Sequence, residues 1–410
     1  MNSYRWEKEP QEGPVVIRVS DSRQLAEACS QAVPGTTIIM ADGEYGGSEP
    51  FTIRSEATID APITVRAASR GKAVISGGAR IELQQSAYIV IQGLRFANTG
   101  HSAVHLNDCH HIRLTRNTFA LREDGTELKW LLISGADSHH HWIDRNEFGP
   151  RRDKGMYVSS NGGNGRMSQY DVYEYNYFHG SGPSFPRSEG EIKAMRIGLS
   201  GVSMSDGYNV IQYNLFEHCD ANPEIISVKS GRNEVRYNTL LNCEGHLTSR
   251  HGHHNSFYGN LFIGDGKRKG MGGFRIYGND HRIYENVLEN LTDWAVNVDS
   301  GGYDGGPEGD VYTKEVLTAH WRNYRSEVSR NVISGGPGIV IGGVKTYEPV
   351  DSKVTDNVYV GGNESFITEK AGTNTVIDGN RSIGSDEPLP PSILERRKLL
   401  TRAETGPDAP

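Results

Sequence analysis

Four runs of the sequence align on a single asparagine: NVIQYNLFEHC (residues 209–219), NEVRYNTLLNC (233–243), NSFYGNLFIGD (255–265) and HRIYENVLENL (281–291). The aligned residues, Asn214, Asn238, Asn260 and Asn286, lie 24, 22 and 26 positions apart. The same phrase, Asn followed by an apolar or β-branched pair, recurs at Asn117, Asn146, Asn176, Asn331 and Asn357. A period in this range is the signature of a solenoid, because each repeat is too small to bury its own apolar face. Beside the asparagines, runs such as Asn233-Glu-Val-Arg-Tyr and His281-Arg-Ile-Tyr-Glu alternate apolar and polar residues, which reads as strand. Helical periodicity is almost absent from the middle of the chain, so helical and leucine-rich repeats fit poorly. The expected fold is therefore all-β, a right-handed parallel β-helix with three short strands per turn. The repeated asparagines should stack in an internal ladder at one corner.

Working outward, the ends read as caps. Residues 22–32 (SRQLAEACSQA) place Leu25, Cys29 and Ala32 on one helical face, with Asp21 or Ser22 as N-cap. Such a helix would cover the open end of the first coil, with Pro34-Gly35 ending it and the first strand starting at Thr37. At the far end, Pro388 to Pro391 closes the repeats, and Ser392–Arg402 reads as a short charged helix before a disordered tail. The organisation expected is an extension over 1–14, one β-helix domain over 15–385, and a C-terminal helix and tail over 386–410. Two insertions break the rhythm, one between Asn176 and Asn214 and one from Asp299 to Arg325. Long loops on a rigid scaffold are where function concentrates, so both are candidate walls of a groove.

Composition agrees with a thin, repeated core. The 410 residues include 49 glycines and only 36% hydrophobic residues. The net charge of −8 offers no overall attraction to nucleic acid or to an anionic polymer, so affinity for an acidic ligand must come from a local basic cluster. No apolar run is long enough to cross a bilayer. The N-terminus lacks a signal-peptide core, so the expectation is a cytoplasmic protein, or a secreted or periplasmic one if a leader has been removed. Cys29, Cys109, Cys219 and Cys243 show no paired CxxC spacing and are expected as buried free thiols, with Cys219 and Cys243 as stacked neighbours.

The chemistry concentrates between Asn222 and Asn255 (NPEIISVKSGRNEVRYNTLLNCEGHLTSRHGHHN). Lys229 and Arg250 are 21 residues apart, just short of one coil, which puts them on adjacent layers about 4.8 Å apart along the axis. Glu224 and His251 should sit close by. Arg187, Lys193, Arg196, Arg275 and Arg282 add to the basic surroundings. A lysine becomes a base near neutral pH only where burial and neighbouring cations depress its pKa. Abstraction of the C5 proton of a uronic acid needs such a base. It also needs positive charge on the sugar carboxylate and a donor to the departing O4. Lys229 suits the first role. Arg250 suits the last, as a charge-assisted donor that keeps its own proton.

Several motifs resemble polysaccharide lyase family six, the group of alginate lyases and chondroitinase B. They are Glu224-Ile-Ile-Ser-Val-Lys-Ser, Arg250-His-Gly, Asn260-Leu-Phe-Ile-Gly, Gly272-Gly-Phe-Arg-Ile-Tyr-Gly, Arg196-Ile-Gly and Pro34-Gly-Thr-Thr-Ile. The likeness covers residues 15 to 380. It implies a β-helix with Lys229 as Brønsted base, Arg250 on the acid side, and Arg196, His251 and Arg275 binding the sugar acid groups. It also implies cleavage of an acidic polysaccharide by β-elimination, with alginate as the first expectation and dermatan sulfate as the alternative. The family pattern further implies a calcium site built from an upstream Asn and a Glu-x-Glu pair. Here the pair reads Asn222-Pro223-Glu224 and no Asn stands upstream. Glu224, Asn222 and Glu189 or Glu191 remain as candidate calcium ligands, while Lys193 or Arg187 offers positive charge in the ion's place.

Two readings from other classes remain. A β-helix glycoside hydrolase would need two carboxylates flanking the bond, and no clustered Asp-Asp motif lies on a strand. A non-catalytic glycan-binding β-helix would use Lys229, Arg250 and His251 as plain anion contacts. The tract Ser138-His-His-His141 is expected to be a structural turn, with a metal site as the lesser reading.

Overall fold

The computed structural model describes residues 12–182, 187–362, 364–387, 395 and 398–410, with the backbone alone described at 187. Among these residues the strands form three parallel sheets of fourteen, twelve and thirteen strands, and from the second strand onward each sheet takes every third strand in chain order. Each coil therefore contributes one strand to each sheet, as a right-handed parallel β-helix requires. The asparagine ladder runs along one corner. Asn214 Oδ1 accepts from Asn176, Asn238 Oδ1 from Asn214, and Asn260 Oδ1 from Asn238, each through backbone N and side-chain Nδ2 at 2.9–3.1 Å. The ladder continues through Asn286, Asn331 and Asn357 to Asn380, the last not singled out by its sequence phrase. Its steps of 38 residues (Asn176 to Asn214) and 45 (Asn286 to Asn331) are the two insertions.

A second column, Asn209, Asn233 and Asn255, runs beside the first and was not read from the repeat phrase. Inside, Phe96, Phe119, Phe148, Phe178 and Phe216 stack face to face at 4.4–4.9 Å. A core one side chain wide can only be filled by such columns, which explains the modest hydrophobic fraction.

The capping helix α1 spans Ser22–Ser30, with the Asp21 carboxylate accepting from Gln24 N at 2.8 Å. It buries Leu25, Ala28 and Cys29. The first strand is Val15–Val19, ahead of the helix, and pairs in parallel with Thr36–Met40. The expected start at Thr37 missed it because a short VVIRV run before a helix carries too little alternation. All four cysteines are free and buried, and Cys219 N donates to Cys243 Sγ at 3.3 Å. The Pro388–Pro391 stop lies outside the described residues, as does about half of the expected helix over Ser392–Arg402; of the rest, Glu395 is helical but residues 398–402 are not, so the helix does not run to Arg402.

The final residues are not a loose tail. Arg70 and Arg116 donate to the Pro407 carbonyl, Arg116 also to that of Ala409, and Arg145 to that of Pro410. Thr405 and Ala409 are buried against the outside of the coils. The arginines lie in turns of different coils, so sequence alone does not show that they form one capture surface. Among the described residues no helix is long and apolar enough to cross a membrane.

Candidate active site

Four consecutive strands of the twelve-strand sheet carry the predicted residues: Ile192–Ile197, Glu224–Lys229, Gly245–His251 and Met271–Ile276. Arg196 aligns with Ser227, Ser227 with Thr248, and Thr248 with Arg275, giving one row across the sheet. Lys229 aligns with His251 while Val228 aligns with Ser249, so Arg250 is the extra residue of a bulge. A bulge bends the strand and re-aims a side chain. Gly198, at φ +103°, lies so close to Lys229 that a Cβ there would sit 2.4 Å from the Lys229 carbonyl oxygen. Only glycine lets the neighbouring coil pass this close.

Burial first, and then Lys193, Arg250 and Arg196, push the Lys229 ammonium down to about 8, against the opposing pull of Glu224. Glu224 is the counter-charge at the centre. Burial works to raise its pKa, but Lys193 overrides this and brings it to about 2. Lys193 Nζ stands 2.9 Å from Glu224 Oε2 and 3.2 Å from Glu191 Oε2, and Lys193 itself is 1% exposed. Arg250 Nε lies 3.8 Å from Glu224 Oε1.

The Asp299–Arg325 insertion forms a wall of the site. Its Thr318 and Ala319 carbonyls accept from Arg250 at 2.9 and 3.0 Å. His251 contacts the Ala319 carbonyl through Nε2 at 2.9 Å and packs on Trp321. The His251 ring is buried beside Arg250, with its pKa brought to about 3 by burial and then by Arg250 and Lys229. Arg250 lies against it, with one guanidinium nitrogen 3.0 Å from His251 Nε2.

Arg196 donates to Ser159 Oγ and Asn161 Oδ1, both at 3.0 Å. Arg275 donates to the Tyr277 hydroxyl at 2.6–2.8 Å and meets His320 Nε2 at 3.2 Å. Tyr277 in turn donates to Asp299, which Lys345 pairs at 2.8 Å. Tyr277, His320 and Lys345 were not singled out as site residues. Tyr277 had a signal, since it stands two positions after Arg275 on an alternating strand and so on the same face. Lys345, 68 residues from Tyr277, had none.

The residues do not fit a calcium site. Calcium takes six to eight oxygens, carboxylates prominent among them. Here the Lys193 ammonium already stands between the two candidate carboxylates, Glu191 and Glu224. The Asn222 oxygen accepts from Ile192 N at 2.9 Å, so it is committed to the backbone. Glu189 is exposed on a 3-10 turn, and the Arg187 side chain lies outside the described residues.

The chondroitinase B family model matches residues 19–299, well over half of the chain. None of the curated proteins matches. Among solved structures, a mannuronic acid-specific family 6 polysaccharide lyase from human gut microbiota superposes with a TM-score of 0.78 at 20% identity, covering 96% of both chains. The family 6 lyase Pedsa3628 from Pseudopedobacter saltans gives 0.80 at 21%, covering 97% of this chain and 99% of its own. A family 6 alginate lyase in complex with a trisaccharide gives 0.80 at 20%, covering 96% and 95%. With its coils, its basic row and the bulged Arg250 beside Lys229, this chain belongs to the chondroitinase B family, polysaccharide lyase family 6, and is a polysaccharide lyase.

Proposed function

We propose that this lyase cleaves alginate by β-elimination, with Lys229 as the base and Arg250 as the donor to the leaving oxygen. The observation that carries the reading is the depressed Lys229, at about 8, beside an arginine whose direction a bulge and two loop carbonyls fix. Lys229 Nζ takes the C5 proton of the uronate. The electron pair forms the C4–C5 double bond, and the C4–O4 bond breaks as Arg250 donates a hydrogen bond to O4. The proton held on Lys229 is then passed to the departing sugar or to solvent. Arg196 and Arg275, on the same row, offer positive charge to sugar carboxylates. Alginate is favoured because the neighbours with sugar bound include an alginate lyase with a trisaccharide and another with the ligand called G6.

The same reading makes the enzyme independent of calcium. The buried Lys193 ammonium neutralises Glu224 and leaves a net positive field for the substrate carboxylate, the part an ion would otherwise play.

The test is a panel of alginate, polymannuronate, polyguluronate, dermatan sulfate and pectate, scored by ultraviolet absorbance of new unsaturated ends. Absorbance should rise with alginate polymers and be lost, by at least about a thousandfold, in Lys229→Ala. A Lys229→Ala variant within tenfold of the parent would remove Lys229 as base. A rise with dermatan sulfate alone would keep the chemistry and replace the substrate.

A further inference from the structure

A second cluster of imidazoles lies at the corner between the twelve- and fourteen-strand sheets. Two successive coils turn this corner through His110-His111 and His139-His140, just after the strands Val104–Asn107 and Leu128–Ser134. His110 lies over His139 at 4.8 Å and 5°, and His111 over His140 at 4.9 Å and 4°. Within each coil the two Nδ1 atoms share a hydrogen bond, at 2.9 Å in the first pair and 2.6 Å in the second, and an ion would take the place of that proton. One ring nitrogen from each of His110, His111 and His139 falls within 4.8 Å of the others, and all three residues are half-buried.

Stacking explains part of this arrangement. The column of His111 and His140 continues as Tyr88 on one side and Tyr170 on the other, all four in left-handed backbone conformation. An aromatic ring of any kind satisfies that column. The neighbouring column reads Ala87, His110, His139, Gln169, so it has no aromatic requirement at all. Histidine in both columns of two consecutive coils, with converging Nδ1 atoms, goes beyond what stacking needs. Two imidazole nitrogens bound to one ion at about 2.0–2.1 Å stand about 2.9 Å apart at the right angle of square-planar copper or nickel, and about 3.3 Å apart at the tetrahedral angle of zinc. Rings this close cannot all carry protons, because like charges at contact distance repel strongly. Uncharged imidazoles are the form that binds zinc, nickel and copper.

We propose that this corner binds one divalent transition-metal ion of the zinc, nickel or copper class, with His110 and His111 as a chelating pair and His139 of the next coil as a third ligand once its ring turns out of the stack. The ion ties two coils together. It stands apart from catalysis, because the Lys229 strand is three coils beyond Leu128–Ser134, about 14 Å along the axis.

The experiment uses the full chain after chelation and dialysis, titrated calorimetrically with zinc chloride and then melted with and without zinc. Native protein should bind about one zinc ion per chain and gain about 3 °C in Tm at saturation. The control is the double variant His111→Tyr/His139→Gln. Each replacement is the side chain that its own column carries in an adjacent coil, at Tyr88, Tyr170 and Gln169, so folding is preserved. It should bind zinc at least about tenfold more weakly, lose the Tm gain, and keep the lyase activity. No binding to the native protein, or equal binding to the double variant, would overturn the site and leave the histidines as a stacked turn.

Discussion

Lys229 is poised by two opposed influences. Burial and three surrounding cations destabilise its charged form, and one carboxylate, Glu224, supports it. A base brought to about 8 is partly unprotonated at neutral pH, so kcat/KM should climb as pH rises and level off above about 8, with a single ionisation on that limb. The linkage has a definite sign. Unfolded lysine titrates at its ordinary value of 10.5, so between about 8 and 10.5 the unfolded chain holds more protons at this site. Stability from this residue therefore rises with pH across that window, and below about 8 the buried charge is a net cost. Lys229→Met should abolish activity yet raise stability at pH 7 by about 1–2 kcal/mol, read by denaturant melts. A loss of stability would instead make Lys229 a structural residue. At Lys193 the opposite holds. Removing it leaves Glu224 buried without its partner, so Lys193→Ala should cost about 3 kcal/mol or more and severely reduce turnover. Exhaustive chelation of the native enzyme should leave activity unchanged. Full loss on chelation with recovery on calcium alone would show that Glu224 holds an ion after all.

A coil is not a stable unit, and what fastens one to the next is the asparagine ladder. Asn238 takes two hydrogen bonds from Asn214 at its oxygen, and its amide group donates to Ile211 O and to Asn260 Oδ1. With Asn238 1% exposed, no water replaces them. Asn238→Ala should destabilise by about 2–4 kcal/mol, because several buried polar groups lose partners at once. An exposed asparagine such as Asn374, in left-handed conformation at φ 55°, should tolerate the same change within about 1 kcal/mol. Equal melting of the two variants would remove the ladder from the account of stability. This element was legible in the sequence because the ladder demands one residue type at one place per turn. The second column, Asn209, Asn233 and Asn255, shows less regularly. It gives way to Asp171 and His281 in flanking coils, since any short acceptor side chain serves there.

The C-terminal residues reach back across the outside of the whole molecule. Residues Pro407–Pro410 take hydrogen bonds from Arg70, Arg116 and Arg145, and Gly406 N donates to Tyr175 O. This strap crosses several coils on the far side from the catalytic row. Deleting 401–410 should lower Tm by about 1–3 °C, what 1–3 kcal/mol gives in a chain this long, while leaving kcat unchanged. A fall in kcat with unchanged Tm would mean that the strap acts on the groove. By itself the sequence determined the architecture and the central pair. The period sets the coil, alternation sets which side chains face outward, and a 21-residue separation within a coil of 22–26 must bring Lys229 and Arg250 to adjacent layers. Those are properties of a one-dimensional stack, where neighbours in space are one period apart in sequence. What the tertiary structure alone decided depends on contacts that no period governs. The Lys193 ammonium sits between Glu191 and Glu224, and Asn222 is turned onto the backbone. His251 is buried beside Arg250, the loop carbonyls of Thr318 and Ala319 aim that arginine, and Lys345 arrives at Tyr277 from 68 residues away. Side-chain direction, loop path and burial fix each of these, and they arise only when the coils are closed and the insertions laid across them.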